Sequence, residues 1–288
     1  MHRVFIGVDA NDYKGKILRL AEHIKRVLIY TALLTVSTWA FSLGSAALID
    51  RDALVVALPF DEGVGDEAKD VSPHGNHAVL VEAARWGNGK FGKCLKVKEP
   101  ARAEVANSES FHLHGTDFTL AMWMNFSNEP GVFGLIGHDD GGAAQSKKAV
   151  WEFLGGTLVF HINRADNNVD WLRSEFIGTP ELNRWYHAAL VRKGKQYTHY
   201  LDGELFGEQT AKEEIPEGIN NPLTIGMTEH YLFFNGLIDE AVVAHQAWTH
   251  PDVLKHYNGG IQGVLSVEPG AKLAVAWGGL KANRSFRN

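Results

Sequence analysis

From Ala53 onward the chain is a succession of short apolar or alternating runs separated by turn residues, and this pattern constrains the fold most. The longest alternation, residues 118–126, places Phe118, Leu120 and Met122 on one face of a strand. Many short strands divided by turns are typical of an antiparallel β-sandwich or jelly roll. Strands and helices do not alternate along the sequence, which disfavours a parallel-sheet enzyme fold. The sequence therefore predicts an all-β protein with two facing sheets.

Turn and helix signals support this interpretation. Asp202-Gly203 is the residue pair of a two-residue type I′ turn, and Lys193–Lys195 predicts a second hairpin. One convincing helix follows the last strand. It is expected to begin after Thr249 as N-cap and to stop at Gly259-Gly260.

The N-terminal part predicts export. The uncharged stretch Val27–Ala47 follows Lys25-Arg26 and ends in small residues, which is typical of a signal cleaved after Ala46. Its length is also near the ~20 residues that cross a bilayer, so an uncleaved membrane anchor is the alternative. Either way we expect the bulk of the protein outside the cytoplasm, secreted or in the cell envelope. The expected parts are a lead and signal (1–46), a jelly-roll domain (53–260) and a C-terminal tail (261–288).

Charge and cysteine content exclude some functions. Removing residues 1–46 leaves 22 basic and 31 acidic side chains, a balance that argues against a nucleic-acid surface and leaves room for cations. Cys94 is the sole cysteine, so no internal disulfide forms. The 14 histidines are scattered, and none has Cys or Glu nearby in the sequence at zinc-site spacing. Zinc is therefore not predicted.

Two adjacent acids, Asp239 and Glu240, interrupt the apolar strand "FNGLIDEAVV" (234–243). Strict alternation predicts that they point to opposite faces, each among apolar neighbours. A buried carboxylate without a partner costs several kcal/mol or more, so we expect a cation, an Arg or a set of backbone donors to satisfy each acid.

A series of short motifs runs through the chain in a recognisable order. Its members are "LPFDEGVGDEAKDVSPHGNHAVL" (58–80), "WGNGKFGKCLKV" (86–97), "FTLAMWMN" (118–125), "RWYHAALV" (184–191), "YLDGELFG" (200–207), "PLTIG" (222–226), and "FNGLIDEAVV" followed by "AWTHPDVLKHY". Together they resemble the laminin-G-like, concanavalin A-like jelly-roll domain of secreted and surface proteins. The resemblance covers residues 53–260 and implies a sandwich of two antiparallel sheets, with a function in binding glycans or extracellular proteins and often a structural Ca²⁺.

The resemblance would bring Asp239 near the acidic loop "FDEGVGDEAKDVSPHGN" (60–76). Hard cations take several oxygens from carboxylates, carbonyls and waters. We therefore expect a structural Ca²⁺ held by Asp239, with Asp70, Asn76 and Asp61 as further ligands. The alternative is that Asp239 and Asp70 accept backbone N–H bonds, as Asx turns do.

Aromatic and polar side chains near the predicted strand ends are candidates for glycan binding, because an exposed ring stacks on the C–H face of a sugar. Trp123 and Trp185 are instead expected in the core. The rings can also serve packing alone, and the polar loops can be solvated connections. The candidate ligand-binding residues are Trp151, Trp171, His161, Asp139, Asp140, Arg164 and Tyr231.

Other functions remain open on the same scaffold. A glucanase needs two carboxylates flanking the scissile bond, and in the middle strands Glu152 stands alone. A polysaccharide lyase would find Tyr197, His199 and Tyr200, but no evident Arg or Gln partners. A structural envelope component is the third possibility. The sequence favours a non-catalytic binding module whose partner is a glycan or an extracellular protein.

Overall fold

The computed structural model describes residues 49–128, 131–166 and 168–265. Within them the chain forms two eight-stranded antiparallel sheets, as the alternation predicted. Sheet A contains β1 (Leu54–Leu58), β4 (Arg85–Asn88), β5 (Lys93–Val97), β7 (Phe118–Phe126), β12 (Trp185–Lys193), β13 (Gln196–Leu201), β14 (Glu204–Thr210) and β18 (Gly236–Ala244). Sheet B contains β2 (Glu67–Ala68), β3 (Ala78–Val81), β6 (Arg102–Val105), β8 (Val132–Asp139), β9 (Lys147–Leu154), β10 (Thr157–Arg164), β11 (Val169–Arg173) and β15 (Leu223–Ile225).

Three kinds of smaller element complete the described part. A two-stranded hairpin is formed by β16 (Met227–Thr228) and β17 (Leu232–Phe233). Short 3₁₀ turns span Arg51–Ala53 and Glu109–Phe111, and one α-helix, α1 (His250–Leu265), follows β18. No helix among the described residues is long and apolar enough to span a membrane. The predicted signal or anchor, Val27–Ala47, and the tail from 266 on lie outside the described residues.

The strand order of each sheet brings distant segments together. Sheet A runs β14-β13-β12-β7-β18-β5-β4, with β1 also paired to β18, so the first and last strands are neighbours. Sheet B runs β11-β10-β9-β8-β15-β6-β3-β2. The inner faces of both sheets supply one apolar core, in which Phe118, Phe126, Trp151 and Phe160 are fully buried.

The helix α1 covers part of the outer face of sheet A. Ala121, Ala189 and Val242 on this face pack with Val253 and Ile261 of α1 in a second apolar cluster. The predicted N-cap is confirmed: Thr249 donates its hydroxyl to Asp252 at 2.6 Å, and the backbone N–H of Asp252 returns to the Thr249 carbonyl at 2.9 Å.

The predicted stop at Gly259-Gly260 is confirmed for the first helical segment of α1, and a second segment follows. The chain kinks at Gly260, whose φ is 58°, and then continues helically to Leu265. The expectation that Trp123 lies in the core needs a correction: Trp123 is buried, but it stacks on Tyr257 of α1 rather than lying between the sheets. Trp185, expected in the core, is half-buried.

A β-bulge accommodates the adjacent acids Asp239 and Glu240 in β18. Glu240 has a φ of 54°, and the register against β7 shifts between Asp239 and Val242. The predicted strict alternation therefore fails after Asp239, because the extra residue lets Ala241 return to the core. Both carboxylates are buried and take backbone donors. Asp239 accepts from the N–H groups of Lys90 (2.8 Å) and Phe91 (3.0 Å), and Glu240 accepts from the N–H of Ile261 at 2.5 Å.

The loop that meets Asp239 depends on a glycine. A Cβ at Gly89 would lie 2.5 Å from Oδ2 of Asp239 and 2.3 Å from the Lys93 carbonyl oxygen. Burial raises the pKa of Asp239 to about 8, with Glu240 and Asp61 acting in the same direction against the backbone donors of Phe91 and Lys90. Asp239 thus links the loop after β4 to the bulge of β18.

Replacing Asp239 by Ala should lower the free energy of unfolding by about 2–4 kcal/mol, because the N–H groups of Lys90, Phe91 and Glu240 lose their acceptor. Asp239→Asn keeps one acceptor oxygen and should lose less. Urea unfolding followed by fluorescence measures both, with exposed Asp140→Ala as the control. A change of less than about 0.5 kcal/mol for Asp239→Ala, the usual surface effect, would show that Asp239 does not hold the loop.

Candidate functional site

The outer face of sheet B carries a cavity of about 610 Å³. Strand alternation explains its lining, since Ala149, Trp151 and Phe153 of β9 face the core while the residues between them face outward. The same holds for β10, whose Phe160 and Ile162 are in the core. The outward side chains that line the cavity are Lys148 and Glu152 of β9, His161 and Asn163 of β10, and Val169 and Trp171 of β11.

The hairpin of β16 and β17 forms the opposite wall. It lies against the outer side of β8 because Gly134 has no side chain there: a Cβ would lie 2.2 Å from the Thr228 nitrogen and 2.5 Å from the Leu232 carbonyl oxygen. Close backbone approach of this kind requires glycine. The hairpin contributes Glu229, Tyr231 and Leu232 to the cavity.

The tip of this hairpin is strained. Glu229 and His230 have φ values of 52° and 65°, the left-handed region that a type I′ turn needs and that non-glycine residues adopt at a cost. The turn is closed by the Tyr231 N–H, which donates to the Thr228 carbonyl at 3.2 Å. The Glu229 N–H donates to Oδ2 of Asp139 at 3.0 Å, so Asp139 fixes the tip from below.

The carboxylate of Glu229 is buried and takes three side-chain donors. Lys148 Nζ lies 2.7 Å from Oε2, the Tyr231 hydroxyl donates to Oε2 at 3.0 Å, and His161 Nδ1 lies 3.1 Å from Oε1. Burial acts to raise the pKa of Glu229, but the hydrogen bonds from His161 and Lys148 and the charge of Lys148 hold it below its ordinary value. Glu229 is therefore an anion that links β9, β10 and the hairpin.

His161 is oriented by this contact. An ionised carboxylate only accepts, so Nδ1 of His161 must carry a proton, and in the neutral form of the ring Nε2 is then an unprotonated acceptor. Nε2 is buried and has no hydrogen-bond partner within the part of the chain that the structure describes. The imidazole stacks on Trp171, with ring centroids 3.7 Å apart and planes inclined by 14°.

A second carboxylate, Glu152, lies beside the first. It is buried and accepts the Thr228 hydroxyl at 2.6 Å. Burial raises its pKa to about 7, and the charges of Glu229 and Asp139 add to this effect. The two neighbouring carboxyl groups thus have pKa values displaced in opposite directions.

The predicted ligand-binding residues divide into two groups. His161, Trp171 and Tyr231 do line the cavity. Trp151 does not, because it is fully buried between the sheets, and its assignment to the binding face is wrong.

The polar candidates contribute differently. Asp139 is buried with both oxygens engaged, Oδ1 by the Gly141 N–H at 2.7 Å and Oδ2 by Glu229, so it supports the hairpin rather than lining the cavity. Asp140 is exposed in the loop after β8. Arg164 lies at the end of β10 outside the lining, 3.9 Å from Glu213.

The expected calcium ligands are occupied by other donors. Asp70 accepts the N–H groups of Ala57 (2.8 Å), Ser72 (2.9 Å) and Asn76 (2.7 Å) and also the Ser72 hydroxyl. Asp61 accepts the Lys93 N–H at 2.7 Å. The side chain of Asn76 donates through Nδ2 to Val55 and Ser110. Together with the N–H groups that donate to Asp239, these hydrogen bonds match the alternative expectation, in which the carboxylates accept backbone N–H bonds in turns.

The sequence alone did not indicate several residues of the cavity as ligand-binding candidates. Lys148, Asn163 and Glu229 carry no local motif. Glu152 stands alone only in the sequence, because Glu229 meets it from a hairpin 77 positions further along. The left-handed turn at Glu229-His230 has no Gly, Asn or Asp, the residues by which such turns are recognised.

The fold and cavity can be compared with known proteins. A family model described as the concanavalin A-like lectin/glucanases superfamily matches residues 101–254, just over half of the chain. The chain belongs to this superfamily. No curated protein sequence matches it significantly.

Solved structures share the fold at low sequence identity. Domain 4 of AbnA, a GH43 extracellular arabinanase from Geobacillus stearothermophilus in complex with arabinotriose, matches with a TM-score of 0.56 and 15% identity, covering 69% of this chain and 96% of that domain. The botulinum neurotoxin serotype D binding domain matches with a TM-score of 0.57 and 13% identity, covering 73% and 53%. The neurotoxin DC binding domain in complex with SialylT matches with a TM-score of 0.54 and 12% identity, covering 72% and 52%. This chain therefore spans about half of the length of each neurotoxin binding domain.

Calcium at Asp239, Asp70, Asn76 and Asp61 is a hypothesis that a melting experiment tests. Because the carboxylates already have backbone donors, we expect the same melting temperature in excess Ca²⁺ and in EGTA, measured by scanning calorimetry. A rise of several degrees in Ca²⁺ that Asp239→Asn abolishes would instead establish the site.

Proposed function

We propose that the protein is an exported, non-catalytic binding module that recognises a glycan in the cavity on the outer face of sheet B. The observation that carries the proposal is the cavity itself, in which exposed rings border buried polar groups. Trp171 and Tyr231 are 40% and 58% exposed, whereas Lys148, Asn163 and Glu229 are buried at its base. Binding sites for small ligands combine apolar walls with a few fixed polar groups in this way.

The chemistry of the lining suits a polyol. A sugar ring presents C–H groups that pack on an aromatic face and hydroxyls that both donate and accept. The ammonium of Lys148 and the amide of Asn163, both in the cavity lining, offer donors. Because Glu229 holds Lys148 and the Ala144 carbonyl holds Asn163, little ordering is left for the ligand to impose.

The relatives support the same class of ligand. The arabinanase domain is described in complex with arabinotriose, and the neurotoxin DC binding domain in complex with SialylT. Both are similar to this chain in fold only, so the sugar is not carried over. Export is supported by the Val27–Ala47 stretch and by the extracellular nature of the arabinanase.

Hydrolysis is the second candidate function. Glu152 and Glu229 offer carboxylate oxygens within 4.8 Å of each other, a separation close to that of retaining glycosidases. Against it, three donors already engage Glu229, which leaves it poorly suited to attack. An extracellular protein ligand and a structural envelope role are the other outcomes.

Retention on a panel of immobilised polysaccharides, with reducing-sugar release measured in the same samples, tests the proposal. We expect retention without release. Trp171→Ala should weaken binding about tenfold, the effect of losing roughly 1.4 kcal/mol of stacking. Phe176→Ala removes a ring that is 73% exposed away from the cavity and should leave affinity unchanged.

Release of sugar that depends on Glu152 would favour the enzyme. If Trp171→Ala and Phe176→Ala bind the polysaccharide equally well, the ligand binds outside the cavity. If the polysaccharides neither retain the protein nor release sugar, the result would favour a protein partner or a structural role.

A further inference from the structure

One carboxylate oxygen at the base of the cavity is left for a ligand. Glu152 is 1% exposed and lines the cavity. The Thr228 hydroxyl engages its Oε1, but Oε2 accepts no hydrogen bond from any residue that the structure describes. Unlike Nε2 of His161, which is fully enclosed, Oε2 retains accessible surface, and the cavity is the space that it faces.

The position of this oxygen is fixed by the fold. Glu152 lies in the middle of β9, paired with Gly134 of β8 on one side and with Val159 of β10 on the other. The hydrogen bond from Thr228, 2.6 Å long, holds the carboxyl group from the hairpin. A ligand therefore meets an acceptor whose orientation is set before binding.

The positive charge in the cavity is directed at the other carboxylate. Apart from His161, the charged side chains that line the cavity are Lys148, Glu152 and Glu229. Lys148 Nζ lies 2.7 Å from Glu229, and His161 also contacts Glu229 through Nδ1. Within the described ranges no Lys, Arg or His forms an ion pair with Glu152. Glu152 is thus the acid of the cavity that lacks a cation.

The electrostatics of Glu152 agree with this count. Burial raises its pKa to about 7, and the charges of Glu229 and Asp139 add to the effect. The Thr228 hydrogen bond and the charge of Lys148 act in the opposite direction without restoring the ordinary value. A positive ligand group beside Oε2 would lower this pKa and hold the carboxyl group in its ionised form.

Three kinds of sugar substituent would meet Oε2 differently. A hydroxyl donates a neutral hydrogen bond, whereas an ammonium donates a charge-assisted bond that is roughly twice as strong. A carboxylate, as in uronic and sialic acids, would instead meet Glu152 and Glu229 with like charge. Lys148 does not reverse this order, because Glu229 already neutralises its ammonium at 2.7 Å.

We propose that the cavity selects an amino sugar, whose ammonium donates to Oε2 of Glu152. This inference rests on the glycan proposal above and names the class of sugar that the cavity prefers.

Calorimetric titration of the full chain at neutral pH with three matched oligosaccharides tests the inference. The probes are tetramers of glucosamine, glucose and glucuronic acid with the same linkage, which differ in carrying an amine, only hydroxyls or a carboxylate. We expect the glucosamine tetramer to bind about tenfold more tightly than the glucose tetramer, the gain of a charged over a neutral hydrogen bond. The glucuronic acid tetramer should bind most weakly.

Glu152→Gln removes the charge and keeps an oxygen for Thr228. In this variant the ratio of the affinities for the glucosamine and glucose tetramers should fall to about one, and the glucuronic acid tetramer should gain affinity. Glu217→Gln is the matched control, because Glu217 is an exposed carboxylate outside the cavity, 2.8 Å from His114. Its ratio should equal that of the wild type. Circular dichroism checks the folding of both variants, and the ranking by the wild-type protein needs no substitution.

Three results would overturn the inference. The first is a wild-type protein that binds the glucose or glucuronic acid tetramer as tightly as the glucosamine tetramer. The second is an amine preference that Glu152→Gln and Glu217→Gln leave equal, which would trace it to the net charge of −6 of the whole chain. The third is no binding of the glucosamine tetramer.

The immobilised-polysaccharide panel tells this failure from failure of the glycan proposal. Retention on a neutral or acidic polysaccharide without binding of the glucosamine tetramer would overturn the amine preference alone. Retention on none of the polysaccharides would contradict the glycan proposal itself.

Discussion

The buried carboxylate of Glu229 is the interaction on which the site depends. A charge in low-dielectric surroundings is costly unless it is paired and hydrogen-bonded, and Lys148, His161 and Tyr231 together meet this requirement. The same residue adopts a left-handed backbone conformation that costs about 1–2 kcal/mol. Strain and burial at one residue persist only where the surroundings fix it, and such positions are frequent at functional sites.

The two outer faces of the sandwich differ in what covers them. On sheet A, α1 packs on small residues of β7, β12 and β18, whereas the edge strand β14 stays largely exposed. On sheet B the hairpin of β16 and β17 lies on β8, where Gly134 and Gly137 leave room for it, and its tip reaches side chains of β9 and β10 at the edge of the cavity. The hairpin and the exposed face of β9 to β11 therefore form the two sides of a groove, and the outward polar residues of β9 and β10 line its base. The asymmetry of the fold thus accounts for the position of the cavity.

Sequence reasoning predicted the sandwich, the Asp202-Gly203 turn and the Thr249 cap, because alternation, turn chemistry and capping are local signals. It did not predict the bulge at Glu240, since nothing in "LIDEAVV" distinguishes an added residue from a regular strand. The assignment of Trp151 failed for a related reason: the face of a short strand is set by register, which the sequence of one strand does not fix. His161 and Trp171 were predicted as candidates, yet their partner Glu229 is brought to them by tertiary structure alone.

The tautomer of His161 is the most direct test of this account. If ionised Glu229 accepts from Nδ1, long-range ¹H–¹⁵N correlation spectra of the neutral ring will show a protonated Nδ1 and an unprotonated Nε2. Glu229→Gln should disturb this pattern, while Glu217→Gln, beside His114, should not. A neutral His161 ring in the wild-type protein that carries its proton on Nε2 and none on Nδ1 would contradict this arrangement of the cavity.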